Sequence, residues 1–259
     1  MAFLQTQLFS EALGLHVSVN VLLPVAKVPA KEREIPTLYL LHGYSDDHSA
    51  WMRQTSIERY AAALAPEFAV IMPAVDHSFY TDRKQGNRYW AFISEELPEK
   101  ANSLFPLSTR REDNYVAGLS MGGYGTLKLA LNYPMRFRAA AALSAAVNMG
   151  DALNGDQPLF SDELRQTFGT PEEFKGSLND LFHLAEVVAK APVQPDIYLA
   201  CGDKDFLYQD NLKFLAHAQA LKLPLRWEST PGREHTWDYW DEQIQIALKW
   251  FNQLRNEAR

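Results

Sequence analysis

The stretch Tyr115-Val116-Ala117-Gly118-Leu119-Ser120-Met121-Gly122-Gly123-Tyr124-Gly125 constrains this chain most. An apolar run ends in Gly-x-Ser-x-Gly and is followed at once by a helical pattern, Leu127-Leu129-Ala130-Leu131, that closes before Pro134. A serine held on a tight strand-to-helix turn has its hydroxyl lifted above a sheet. The flanking glycines are then needed because a side chain would collide with the neighbouring strand and helix. The helix N-terminus behind the serine favours negative charge developing there. Ser120 is therefore a candidate nucleophile; the rival reading is a glycine-rich turn without chemistry.

The rest of the chain alternates in the way such a turn requires. Val17, Val19, Val21 and Leu23 recur with a period near two, which suits an antiparallel edge strand. Uniformly apolar runs at 37–41, 68–72 and 196–201 suit parallel strands covered on both faces, and 115–118 and 138–144 add two more. The alanine-rich 138–144 run reads as strand because Pro134 closes the preceding helix just before it. Helical patterns fall between, at about 51–65, 88–105, 122–133, 180–190, 209–222 and 237–255. Pro98 predicts that the second begins late or kinks. Together these give an α/β fold with a mainly parallel sheet and helices on both faces.

With 259 residues, this reads as one domain over 1–259. Pro24 to Pro36, with Lys31-Glu32-Arg33-Glu34, reads as an exposed connection between strands. Residues 150–180 fit the rhythm least and read as an irregular, cap-like insertion over one face of the sheet. A net charge of −7 argues against nucleic-acid and membrane-surface partners, which usually call for a basic face. The single cysteine, Cys201, cannot form an internal disulfide. With no signal-peptide pattern and no long apolar run, cytoplasmic residence is expected. Scattered histidines and carboxylates suggest no metal site.

A serine nucleophile needs a base, an acid to orient that base, and donors for the oxyanion. Leu40-Leu41-His42-Gly43-Tyr44 ends an earlier apolar strand, which assigns the Tyr44 and Met121 backbone N–H groups to an oxyanion hole. Such donors are worth about 3 kcal/mol each in the transition state. Of the histidines after Ser120, His183 and His217 lie in helical patterns. His235, in Pro231-Gly232-Arg233-Glu234-His235-Thr236-Trp237, lies in a loop before the last helix and is the candidate base. Cys201-Gly202-Asp203-Lys204-Asp205 offers two acids. The spacing favours Asp205, with Asp203 as competitor.

Taken together, these blocks resemble the esterase D family of α/β-hydrolases, most closely its tributyrin esterases. The resemblance runs from about residue 15 to 250. It includes Leu40-Leu41-His42-Gly43, Ser49-Ala50-Trp51, Phe79-Tyr80-Thr81-Asp82, Glu95-Glu96-Leu97-Pro98, the serine block, Asp205-Phe206-Leu207-Tyr208, and His235 with Trp237, Tyr239 and Trp240. It implies a serine carboxylesterase for short acyl chains in the acetyl to butyryl range. It also implies no cofactor, a small-molecule ester as substrate, a homo-oligomer, and Asp205 as the acid. S-formylglutathione hydrolases, feruloyl esterases and mycolyltransferases are relatives, so thioester or acetyl-sugar and feruloyl ester hydrolysis are the nearest alternatives. A non-catalytic binding protein on the same scaffold is the alternative from another class. Tyr44-Ser45-Asp46-Asp47-His48 departs from the glycine-containing loop that many tributyrin esterases carry after His-Gly. Trp51, Tyr80 and Trp237 are candidates for lining the substrate pocket, although an aromatic in an α/β protein is more often core.

Overall fold

The computed structural model describes residues 1–25, 34–64, 67–84, 86–155 and 158–258. Eight strands make one sheet: β1 (Ala2–Ser10), β2 (Leu15–Leu23), β3 (Thr37–Leu41), β4 (Ala69–Pro73), β5 (Asn114–Leu119), β6 (Ala139–Leu143), β7 (Asp196–Gly202) and β8 (Leu225–Thr230). Their spatial order is β1-β2-β4-β3-β5-β6-β7-β8. The β1–β2 and β2–β4 pairs are antiparallel and every later pair is parallel. This is the mainly parallel α/β sheet with an antiparallel start that the alternation of runs implies.

The expected antiparallel strand is present as β2, but it is not the edge. It is hydrogen-bonded to β1 on one side and β4 on the other. The edge is β1, whose residues alternate between half-buried and exposed along most of its length. The connection expected at Pro24–Pro36 falls largely on 26–33, outside the described residues.

The helices are α1 (Ala50–Gln54), α2 (Ile57–Ala62), α3 (Tyr89–Ala91), α4 (Leu97–Leu104), α5 (Met121–Asn132), α6 (Met149–Asn154), α7 (Pro158–Phe168), α8 (Pro171–Phe174), α9 (Leu181–Val188), α10 (Tyr208–Ala220) and α11 (Trp237–Glu257). One apolar layer joins α1, α2 and α11 to one face of the sheet through Trp51, Ile57, Ala61, Ile244, Leu248 and Phe251. The other face carries α5, α9 and α10 through Leu127, Leu184 and Phe214. Burial of such apolar surface contributes roughly 25 cal/mol per Å² and holds both layers to the sheet.

Three local differences from the sequence reading have physical causes. The single helix expected at 51–65 is two, because Thr55 Oγ1 bonds the Trp51 carbonyl (2.6 Å) and accepts from the Ile57 N–H (3.1 Å), competing with the helical ladder. The helix expected at 88–105 widens into a π turn over Phe92–Glu96, so Pro98 falls in the first turn of α4, where its missing N–H costs nothing. Residues 150–180 are not irregular. They carry most of α6, with α7 and α8, punctuated by Gly155 and Gly169 at helix ends and by a capping box at Thr170 and Glu173.

Candidate active site

Sheet order reverses between β3 and β5, since β3 leads to β4 on one side while β5 continues on the other. The crevice at the carboxyl ends of those strands is where open α/β sheets bind ligands. Ser120 follows β5 there. Its backbone is left-handed, φ 53° and ψ −116°, an unfavourable conformation for a residue with a side chain. Three backbone bonds hold it: Ser120 N–H to the Leu143 carbonyl (2.9 Å), and Tyr124 and Ala146 N–H to the Ser120 carbonyl (3.0 and 3.1 Å). The flanking glycines are required by close approach. A Cβ on Gly118 would lie 2.6 Å from the Gly122 carbonyl oxygen, and one on Gly122 would lie 2.5 Å from that of Leu41.

The loop after β3 packs directly against this turn. A Cβ on Gly43 would meet the Ser120 Cβ at 3.8 Å, so Gly43 and the serine are neighbours. His42 is buried, with Nδ1 2.7 Å from the Gly43 carbonyl oxygen and Nε2 accepting from Val75 N–H at 3.1 Å. This pattern fixes a neutral ring protonated at Nδ1, and burial lowers its pKa to about 4. With the Gly43 carbonyl turned toward His42, the trans peptide aims the Tyr44 N–H the opposite way. Met121, the other oxyanion candidate, is the first residue of α5, where backbone N–H groups lack helical acceptors.

Trp51 and Tyr80 do not line a pocket. Both side chains are wholly enclosed. The Trp51 indole donates to the Leu41 carbonyl (3.0 Å) and the Tyr80 hydroxyl to the His42 carbonyl (2.9 Å), so the two rings brace consecutive peptides at the end of β3. Trp237 is half-buried and packs edge-on against Trp51, with ring centres 5.0 Å apart. Proximity to the site motifs made them pocket candidates, and Trp51 and Tyr80 instead form core beneath the loop.

The loops after β7 and β8 bring Asp205 and His235 together. Asp205 Oδ2 stands 2.8 Å from His235 Nδ1, and its Oδ1 accepts the Leu207 N–H at 2.8 Å. The carboxylate has no exposed surface. Burial alone would raise its pKa, but bonds from His235, Leu207 N–H and Ser144 outweigh that and hold it below the usual carboxylate range. Asp203 points elsewhere and accepts the Gly232 N–H at 2.7 Å. The close approach of Gly202 to Arg233, whose carbonyl oxygen a Cβ would meet at 2.2 Å, draws the two loops together. His183 and His217 lie in α9 and α10, as expected, and His217 bonds the Phe182 carbonyl.

Several groups around the site were not legible in sequence. Ser144, another left-handed residue (φ 45°), accepts the Trp240 indole N–H at 3.1 Å beside Asp205. The Tyr44 hydroxyl donates to Glu163 of α7, and its ring stacks on His77 with centres 4.0 Å apart. Phe206 lies against His235. These pairings cross long sequence separations, and no local pattern encodes them. Among the described residues, no group of three or more His, Cys, Asp or Glu side chains is placed to hold a metal ion, and no helix is long and apolar enough to cross a membrane.

A parallel sheet with a serine on a strained turn at its carboxyl edge defines the α/β-hydrolase class, and likeness to known proteins narrows it to a carboxylic ester hydrolase. The family described as "Putative esterase" matches residues 10–251, and the chain belongs to that esterase family. It is 30% identical over 98% of its length to an acetyl esterase of Caldicellulosiruptor saccharolyticus, covering 99% of that protein. Among solved structures it is similar to the fluorophosphonate-binding serine hydrolase F of Staphylococcus aureus, in a substrate-bound form, at 37% identity and TM-score 0.88, covering 97% of this chain and 98% of that one. The S-formylglutathione hydrolase FrmB of Staphylococcus aureus, as apoenzyme, is similar at 37% identity and TM-score 0.85 with the same coverage.

Proposed function

We propose that this protein is a serine carboxylesterase for short-chain acyl esters, acetyl to butyryl, acting through Ser120, His235 and Asp205, in the manner of the tributyrin esterases. The observation that carries the reading is the pair of a buried Asp205 and a half-buried His235, 2.8 Å apart, at the same end of the sheet as the strained Ser120. Similarity to an acetyl esterase over nearly the whole chain supports the short acyl range.

In this mechanism His235 takes the Ser120 proton as Oγ forms a bond to the ester carbonyl carbon. The negative oxygen is held by the Tyr44 and Met121 N–H groups. The carbon–oxygen bond to the alcohol then breaks, and the alcohol leaves with the proton from His235. Water, activated by the same imidazole, releases the acid and restores Ser120. Asp205 holds the imidazole in the tautomer that keeps Nε2 free to accept, and stabilises the imidazolium. Helices α6 to α8 form the proposed cap beside the crevice.

Thioester hydrolysis is the second reading, favoured by the likeness to an S-formylglutathione hydrolase over 97% of the chain. Labelling by a fluorophosphonate probe, followed by a panel of nitrophenyl esters from acetyl to octanoyl alongside S-formylglutathione, tests both. Highest kcat/KM on acetyl to butyryl esters is expected. Preference for S-formylglutathione would transfer the assignment to the thioesterase, and absence of labelling and turnover would remove the catalytic reading.

A further inference from the structure

The His235 ring contacts two aromatic side chains of opposite character. Trp240 packs edge-on, with ring centres 4.8 Å apart; it is buried and tied to Ser144. Phe206 also packs against the imidazole, with centres 4.5 Å apart at 49°, and is 75% exposed. A lone exposed apolar residue is ordinary and carries nothing by itself. Here the exposed ring sits on the candidate base.

Phe206 is also held firmly. It follows Asp205, whose Oδ1 accepts the Leu207 N–H at 2.8 Å and whose carbonyl accepts the Tyr208 N–H at 3.0 Å. The backbone on both sides of Phe206 is therefore fixed, and little ordering is left to be lost when a ligand arrives.

We infer that Phe206 forms the leaving-group wall of the site and selects esters of aromatic alcohols. The inference rests on the proposed reading of His235 as general acid and base. In acylation the bond from Ser120 Oγ to the carbonyl carbon forms, the carbon–oxygen bond to the alcohol breaks, and the proton on His235 passes to the departing oxygen. That oxygen must come within hydrogen-bond reach of the imidazole. Whatever group it carries therefore passes the imidazole's neighbours. Trp240 is enclosed, so the neighbour open to it is Phe206. A phenyl face prefers an offset or edge-to-face aromatic partner and offers no hydrogen bond to a polyhydroxylated one.

The test compares phenyl acetate with ethyl acetate, which share an acyl group, in the wild type, Phe206→Ala and Phe206→Tyr. The ratio of kcat/KM between variants reports acylation and cancels the different intrinsic reactivity of the two esters. For Phe206→Ala, phenyl acetate is expected to lose about five- to tenfold in kcat/KM, while ethyl acetate stays within about twofold. Phe206→Tyr is expected to restore the phenyl preference. Equal losses on both esters would assign Phe206 to positioning His235 and overturn the inference, as would no change on either. If the wild type hydrolyses neither ester and takes no fluorophosphonate label, the esterase reading itself has failed.

Discussion

Asp205 and His235 meet across the loops after β7 and β8, with Oδ2 and Nδ1 2.8 Å apart and the carboxylate sealed from solvent. Asp203, two residues earlier, is committed to the Gly232 N–H instead. Asp205→Asn is expected to lower kcat by about 10³–10⁴ by presenting the wrong tautomer. Asp203→Asn should leave kcat within about threefold, since the amide oxygen can still accept the Gly232 N–H and only the charge is lost. Steady-state kinetics on a nitrophenyl acetate decides, and a larger loss at Asp203 would reverse the assignment.

Ser120 stores backbone strain in its left-handed conformation. Ser120→Ala should abolish fluorophosphonate labelling with no loss of folding, because the hydroxyl accepts no capping hydrogen bond from the N–H groups of α5. Ser120→Gly should be more stable than Ser120→Ala by about 1 kcal/mol and melt correspondingly higher, because glycine tolerates positive φ. Thermal melts of the two inactive variants read this directly.

Gly122 approaches two carbonyl oxygens of the β3 end, and a methyl there would sit 2.5 and 2.7 Å from them. Gly122→Ala should therefore displace the His42–Tyr44 loop from the elbow, reducing kcat by about 10²-fold or more while also lowering Tm. Gly232→Ala, where no atom lies near the new methyl but φ is +74°, is a control that tests backbone strain alone. Its loss should be confined to stability, about 1 kcal/mol.

His42 takes up no second ring proton near neutrality because burial lowers its pKa from 6.5 to about 4. The unfolded chain takes up that proton first as the pH falls. Stability from this group is complete above about pH 6.5, declines as the pH drops and is lost below about 4. An NMR titration of the folded protein should show the His42 ring still neutral at pH 5, with both ring nitrogens at shifts of the Nδ1–H tautomer. Protonation near 6.5 would contradict the hydrogen-bond pattern drawn for the loop.

Much of the site was readable because its determinants are local. Gly118, Ser120 and Gly122 obey steric demands within one turn, and chain order points to His235 once the serine is placed, whereas chain order alone leaves Asp203 and Asp205 both open and only spacing and the family resemblance favour Asp205. The fold was less readable where the pattern is weak. β1 alternates between half-buried and exposed residues and offers no strongly apolar run, so the pattern puts β2 at the edge. Helices α6 to α8 are only four to eleven residues long, and α6 and α7 end at Gly155 and Gly169, so their periodicity never extends far enough to be seen. Trp51 and Tyr80 look alike in sequence whether they face substrate or support a loop. Their bonds to the Leu41 and His42 carbonyls exist only once β3, α1 and the 75–82 loop are assembled.

The contact between Tyr44 and Glu163 has a bearing on how this scaffold can be recombined. Tyr44 belongs to the loop proposed to hold the oxyanion, and Glu163 to α7, with His77 and Arg83 also paired to that carboxylate. Exchanging residues 149–174 for the matching segment of a relative replaces one end of a charged cluster while leaving the other in place. A chimera that lacks a carboxylate at this point leaves Arg83 facing the tyrosine without its counter-charge, and its new segment has no polar anchor on the loop. Grafts of this segment should therefore keep the fold when Tyr44, His77, Arg83 and the incoming helix are exchanged as one unit.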